Sequence, residues 1–133
     1  MITTIELASI VYKIVKNSGI TAVTGGGVYL RNRPLNADKD DIVIGNLSVA
    51  NVELQKSTAL VNIYARDVFD GKNHIPNLKK LKDATRFLMP LFKDRWLEEH
   101  KTWIDIEYQT DYEVQGVHEW VSVIRLKTRT INE

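Results

Sequence analysis

Residues Thr58 to Asp67 alternate strictly, with Ala59, Val61, Ile63 and Ala65 on one face of an extended chain and Leu60, Asn62, Tyr64 and Arg66 on the other. A period of two excludes a helix there. It demands a sheet with one apolar face, and that face needs a partner layer. The N-terminal region supplies one. Leu7, Ile10, Val11 and Ile14 form a stripe at helical spacing, while Glu6, Ser9, Lys13 and Lys16 lie opposite, which predicts a helix over residues 4 to 18. Thr3 and Glu6 have capping-box spacing, and Gly19 supplies a left-handed stop after Ser18. A second helix is expected where Leu78, Leu81, Ala84, Leu88 and Leu91 recur at three- and four-residue steps. Pro90 removes a helix hydrogen bond near its end, so the helix should kink or stop there and redirect Phe92.

Further strands are expected at 27 to 31, 41 to 46, 102 to 109 and 119 to 129. Ile42-Val43-Ile44 is β-branched throughout, as in a strand buried on both faces. Ile104, Ile106 and Tyr108 should share one face, as should Trp120, Ile124 and Leu126, with a hairpin turn near Gly116. Residues 32 to 40, with Pro34, and the stretch from Asp70 to Pro76 read as loops, and Asn46 to Lys56 as a connector of unassigned form. The order α-β-β-β-α-β-β predicts one α+β domain spanning 1–133, a mostly antiparallel sheet packed against two helices.

At 133 residues the chain can bury roughly two-thirds of its unfolded surface and needs no staples. Eighteen Lys and Arg against seventeen Asp and Glu leave a formal charge of +1, so no global field draws it to a polyanion, and any such partner would need a local patch. The absence of cysteine removes thiol chemistry and fits a reducing compartment, the cytoplasm. The most apolar stretch, Ile5 to Val15, carries Glu6 and Lys13 and falls short of the roughly 20 residues a membrane span needs. No basic n-region or cleavage site marks a signal peptide.

Candidate chemistry is sparse. His74, His100 and His118 lie far apart and read as ordinary surface histidines. Gly25-Gly26-Gly27 enters a strand without the Lys-Ser/Thr of a phosphate loop, so the glycines serve to turn the chain. Asp38-Lys39-Asp40-Asp41 gathers carboxylates, but an EF-hand register from Asn36 puts Asp41 where glycine is required and Leu47 where glutamate is required. Asp105 and Glu107, with Glu53 and Lys56, have the types of a Mg²⁺-dependent nuclease, although alternation on a half-exposed sheet produces the same pattern. Lys79, Lys80, Lys82 and Arg86 make the second helix locally basic without an aromatic platform. Leu60, Tyr64, Trp103, Val121 and Val123, gathered on the sheet face away from the core, would form an apolar patch of the kind that marks an interface.

The order of elements resembles the tail-completion, tail-terminator and head-tail joining proteins of long-tailed bacteriophages and prophages. The resemblance rests on Gly27-Val28-Tyr29, Pro34, Asp41-Ile42-Val43-Ile44-Gly45, the strand Ala59 to Ala65 and the helix Leu78 to Leu91. Its motifs are strands and spacings, and the longer stretch Asp67 to Asn77 departs from the pattern. The resemblance implies a non-enzymatic virion component that forms a ring of six copies, caps the tail tube and docks the head. It implies no catalytic residues, cofactor or metal. Its implied partners are copies of itself, tail-tube and head-connector proteins, with no direct reading of nucleic acid and no membrane, in the virion and in the host cytoplasm during assembly. For contacts between copies we expect Arg31 and Arg33 on one side and Asp38, Asp40 and Asp41 on the other. The alternatives are another connector role, an unrelated binding module, and the small nuclease.

Overall fold

The computed structural model describes residues 2–34, 39–46 and 54–131. Helix α1 runs Thr4–Lys16, followed by the short α2 (Thr21–Thr24), β1 (Val28–Leu30), β2 (Ile42–Asn46) and β3 (Leu54–Arg66). A small arm follows, β4 (Val68–Phe69) with β5 (His74–Ile75), then α3 (Leu78–Leu88), β6 (Arg95–Leu97), β7 (Thr102–Val114) and β8 (Glu119–Ile131). Six strands form one sheet in the order β1-β2-β3-β8-β7-β6, antiparallel except for the β1–β2 pair, while β4 and β5 pair separately. The expected α+β architecture is thus present, with α2, β6 and the arm in addition.

Local chemistry explains the boundaries. The Thr3 hydroxyl oxygen accepts the Glu6 N–H at 3.1 Å, as the capping box requires, and Gly19 takes φ 83° after the helix. At the other helix Pro90 ends the regular turns: α3 stops at Leu88 and a 3₁₀ turn, Met89–Leu91, swings Phe92 into full burial. Both main helices cover one face of the sheet, called inner here. There Leu7, Val11 and Val15 of α1 and Ala84 and Leu88 of α3 join Ile42, Ile44, Val61, Ile63, Ile104, Ile124 and Leu126 in a single core. Ile42, Val43 and Ile44 are all buried, so β2 is covered on both faces as its β-branched run predicts. The core continues as a polar zip: Thr102 and Thr130 share a hydroxyl hydrogen bond of 2.8 Å, and the buried Gln55 amide pairs twice with the Ile2 backbone, at 3.0 and 2.7 Å.

The structure corrects one face assignment. Ile106 lies opposite Leu126 but Tyr108 lies opposite Arg125, so Glu107 is an extra residue, a β-bulge. The bulge shifts the strand's phase by one. Tyr108 therefore leaves the face of Ile104 and Ile106 and is exposed, while Gln109 turns inward to donate to the Ser122 hydroxyl at 2.9 Å. Trp120 keeps the expected parity with Ile124 and Leu126 but is only half-buried.

Candidate assembly surface

Between β1 and β2 the described residues Arg33, Lys39 and Asp41 are drawn together on the sheet by the Arg33 side chain. The Arg33 guanidinium donates to Asp41 at 3.2 Å, to Glu119 at 2.9 Å and to the Lys39 carbonyl at 2.8 Å, and it stacks 4.6 Å above the Tyr64 ring. Burial works against its charge, but the hydrogen bonds and fields of Glu119 and Asp41 more than offset it and raise its pKa above the ordinary arginine value. Burial likewise raises the Tyr64 phenol, partly countered by the Arg33 charge. Asp41, only 1 % exposed, also accepts the Gly27 N–H at 2.8 Å. Gly26 fits because it lacks a side chain: a Cβ there would sit 2.0 Å from the Asp40 carbonyl oxygen. The glycines thus turn the chain, as expected, and also admit a close backbone contact.

Four of the five charged residues expected between copies lie in the described chain, and Asp38 does not. Arg33 and Asp41, expected on opposite sides of such a contact, meet inside one chain. Asp40 is also engaged internally, accepting the Arg66 N–H at 2.8 Å and pairing with Lys80 of α3. Arg31, at φ 72°, is exposed. Asp40 and Asp41, two of the three carboxylates weighed for Ca²⁺, therefore serve as internal hydrogen-bond acceptors. The missed member of this cluster is Glu119; β3–β8 register sets it opposite Arg66, a long-range pairing that no local spacing announces.

The apolar patch expected on the outer sheet face is not an exposed one. Leu60, Tyr64, Trp103, Val121 and Val123 do share that face, yet Val121 and Val123 are buried, flanked by Tyr64 and Asn62 on β3 and by Tyr112 and Thr110 on β7, and Arg33 covers Tyr64. Exposed apolar side chains cluster instead on the arm, with Val68 at 52 %, Phe69 at 59 % and Ile75 at 47 % exposed, and Leu78 beyond. The arm is tied to the β7–β8 turn: the Asp67 N–H donates to the His118 carbonyl at 2.8 Å, and the His74 and His118 rings stack at 3.7 Å with Phe69 beside them. Sequence separation hid this histidine pair. Its turn is built by Asp70, which accepts the N–H groups of Asn73 and Lys72; these hold its pKa below the ordinary aspartate value.

Asp105 and Glu107, the described carboxylates of the nuclease-type set, are each engaged by other groups. Asp105 accepts the Asp94 and Ile106 N–H groups at 3.0 and 2.9 Å, which lower its pKa, while Glu107 accepts Arg125 at 2.9 Å; Glu53 lies outside the described residues. No group of three His, Asp or Glu side chains suited to a metal occurs among the described residues. On α3, Lys79 pairs with Asp83 at 2.7 Å, while Lys82 and Arg86 edge a cleft of about 360 Å³ against β7 and β8. At its floor the Thr85 and Ser122 hydroxyls are 2.7 Å apart.

The sequence matches no protein-family model and no curated protein. Among solved structures the fold is similar to a chain of the virion of a native gene transfer agent (GTA) particle, with a TM-score of 0.74 at 12 % identity, covering 95 % of this chain and 95 % of that one. At that identity the likeness is one of fold.

Proposed function

We propose that this protein is a single-domain structural component of a phage-like virion, acting by assembly and not by catalysis, and that it forms a closed ring at the head-proximal end of a tail. The observation that carries this reading is the end-to-end fold likeness to a virion chain of a gene transfer agent particle. The exposed arm supports it, because three apolar side chains presented on a hydrogen-bonded projection are a means of contacting another subunit. A head-to-tail contact closes into a ring when its rotation permits. Copies of this chain and neighbouring virion proteins are its partners, and Arg31 belongs to the same contact surface. It acts in the particle and, before that, in the cytoplasm of the bacterial host.

Native mass spectrometry and light scattering over a concentration series, with negative-stain imaging, test the reading. A closed species near six copies is expected, and Phe69→Asp should dissociate it while leaving the thermal transition in place. A monomer at every concentration would remove the self-assembling ring, and full assembly by the Phe69→Asp variant would remove the arm from its contacts.

A further inference from the structure

The outer face of the sheet carries a second ordered surface, at the end away from Arg33. Cross-strand register aligns Lys56, Arg129, Trp103 and Trp96 in one row across β3, β8, β7 and β6. The adjacent row places Lys127 opposite Asp105, and the next aligns Leu60, Arg125 and Tyr108. Arg125, Lys127 and Arg129 recur at every second residue of β8, so one strand presents three cations about 7 Å apart to the same side.

This arrangement works against the fold. Lys56 and Arg129 are directly opposed like charges, a pairing that destabilises a sheet, and neither they nor Lys127 form an ion pair among the described residues. Among the described residues the two acids on these rows are already engaged: Asp105 takes two backbone N–H groups, and Glu107 binds Arg125. The aromatic rings are fixed by their polar atoms, the Trp103 N–H donating to Asp94 at 2.6 Å and the Trp96 N–H to Glu98. Trp96 and Tyr108 stay 44 % and 47 % exposed, while Arg129, Lys127 and Arg125 sit over the Trp103 and Tyr108 rings.

We propose that this face binds single-stranded nucleic acid without regard to sequence, with Lys56, Lys127 and Arg129 holding phosphates and Trp96 and Tyr108 stacking on bases. A net charge of +1 gives the whole molecule no pull on a polyanion, and the local patch that such a partner requires is here. Charge alone would serve an acidic protein or duplex DNA equally well. The exposed rings set at the level of the cations favour unstacked bases, since base–aromatic stacking is open to any base in a single strand. This inference does not depend on the assembly reading.

The test uses the full chain and a fluorescein-labelled oligothymidylate of about 15 nucleotides, a length that covers one such site. Binding by anisotropy should weaken with salt, with a log–log slope of about −2 for three phosphates neutralised, and should quench tryptophan emission. Lys56→Gln with Arg129→Gln should weaken binding at least tenfold, and Trp96→Ala about tenfold. Lys56→Gln alone should raise the melting temperature by about 1–2 °C, because it relieves the opposed like charges. Unchanged affinity in the double variant would overturn the proposal. So would duplex binding as tight as single-strand binding without quenching, or displacement of the oligonucleotide by polyglutamate at equal charge, which would identify an acidic protein as the partner.

Discussion

Without its guanidinium, Arg33 would leave Asp41 and Glu119 as neighbouring carboxylates that share no cation and have little access to water. We expect Arg33→Ala to cost about 3–5 kcal/mol, the usual result of stripping one partner from a buried ion pair, measured by urea unfolding; adding Asp41→Asn and Glu119→Gln should restore part of it. Gly26→Ala should cost about 1–3 kcal/mol by the same measurement, because the Asp40 backbone must move to admit a methyl group. Neither residue's role was legible from neighbours in the chain. The sequence marks Gly25-Gly26-Gly27 as a turn, which holds, yet the closest contact at Gly26 comes from a loop fourteen residues on, and Arg33 reaches Glu119 across 86 residues. Spacing reports what lies within a turn or two of a residue; it is silent about such closures.

Elements were more legible where periodicity runs long. The alternation in β3, the stripe of α1 and the proline stop of α3 all appear as the sequence predicts, because each is set by local pattern and capping. The arm and β6 escaped, being only two and three residues long on each strand, too short for a period to register. The bulge at Glu107 escaped because apolar and polar residues alternate on both sides of it and only the pairing partner reveals the slip. Deleting Glu107, the extra residue, should leave an unbroken ladder with Tyr108 still opposite Arg125 and Gln109 still opposite Ile124, so the thermal transition should stay cooperative and Tyr108 should stay exposed, measured by calorimetry and tyrosine accessibility. The contact between the start of β6 and β7 has a pH signature. Asp105 is held below its ordinary value of 3.8, first by the Asp94 N–H and then by that of Ile106, so its stabilising effect is present above that value and fades as pH falls through the lower folded-state value. A carboxyl titration by NMR should place its midpoint below 3.8, and Asp105→Asn should flatten the acid limb of the stability profile below that value.

For the whole molecule, the α+β class and the inner-face core followed from composition and pattern, whereas the surfaces did not. Of the apolar residues expected outside, Val121 and Val123 are buried, Tyr64 is covered by Arg33, and Leu60 and Trp103 are half-buried, while Val68, Phe69 and Ile75 are exposed together on an arm that reads as loop. The molecule therefore divides its exterior: an apolar projection at one place and a cationic, aromatic-lined sheet face at another. Phe69→Asp should alter association alone, and the Lys56→Gln, Arg129→Gln pair should alter polyanion binding alone, a double dissociation readable by sedimentation and anisotropy in one set of samples. The strand order also governs how the chain acquires its shape. β8 comes last of the strands in the sequence but stands between β3 and β7, and its register with β3 joins Leu54 to Ile131. During synthesis β3 and β7 are both made before the strand that unites them, so the long edges of each wait unpaired until the C-terminal part of this sequence has left the ribosome. Refolding should accordingly be slow for a domain of this size, milliseconds to seconds, and the nascent chain should depend on chaperones that shield open strands.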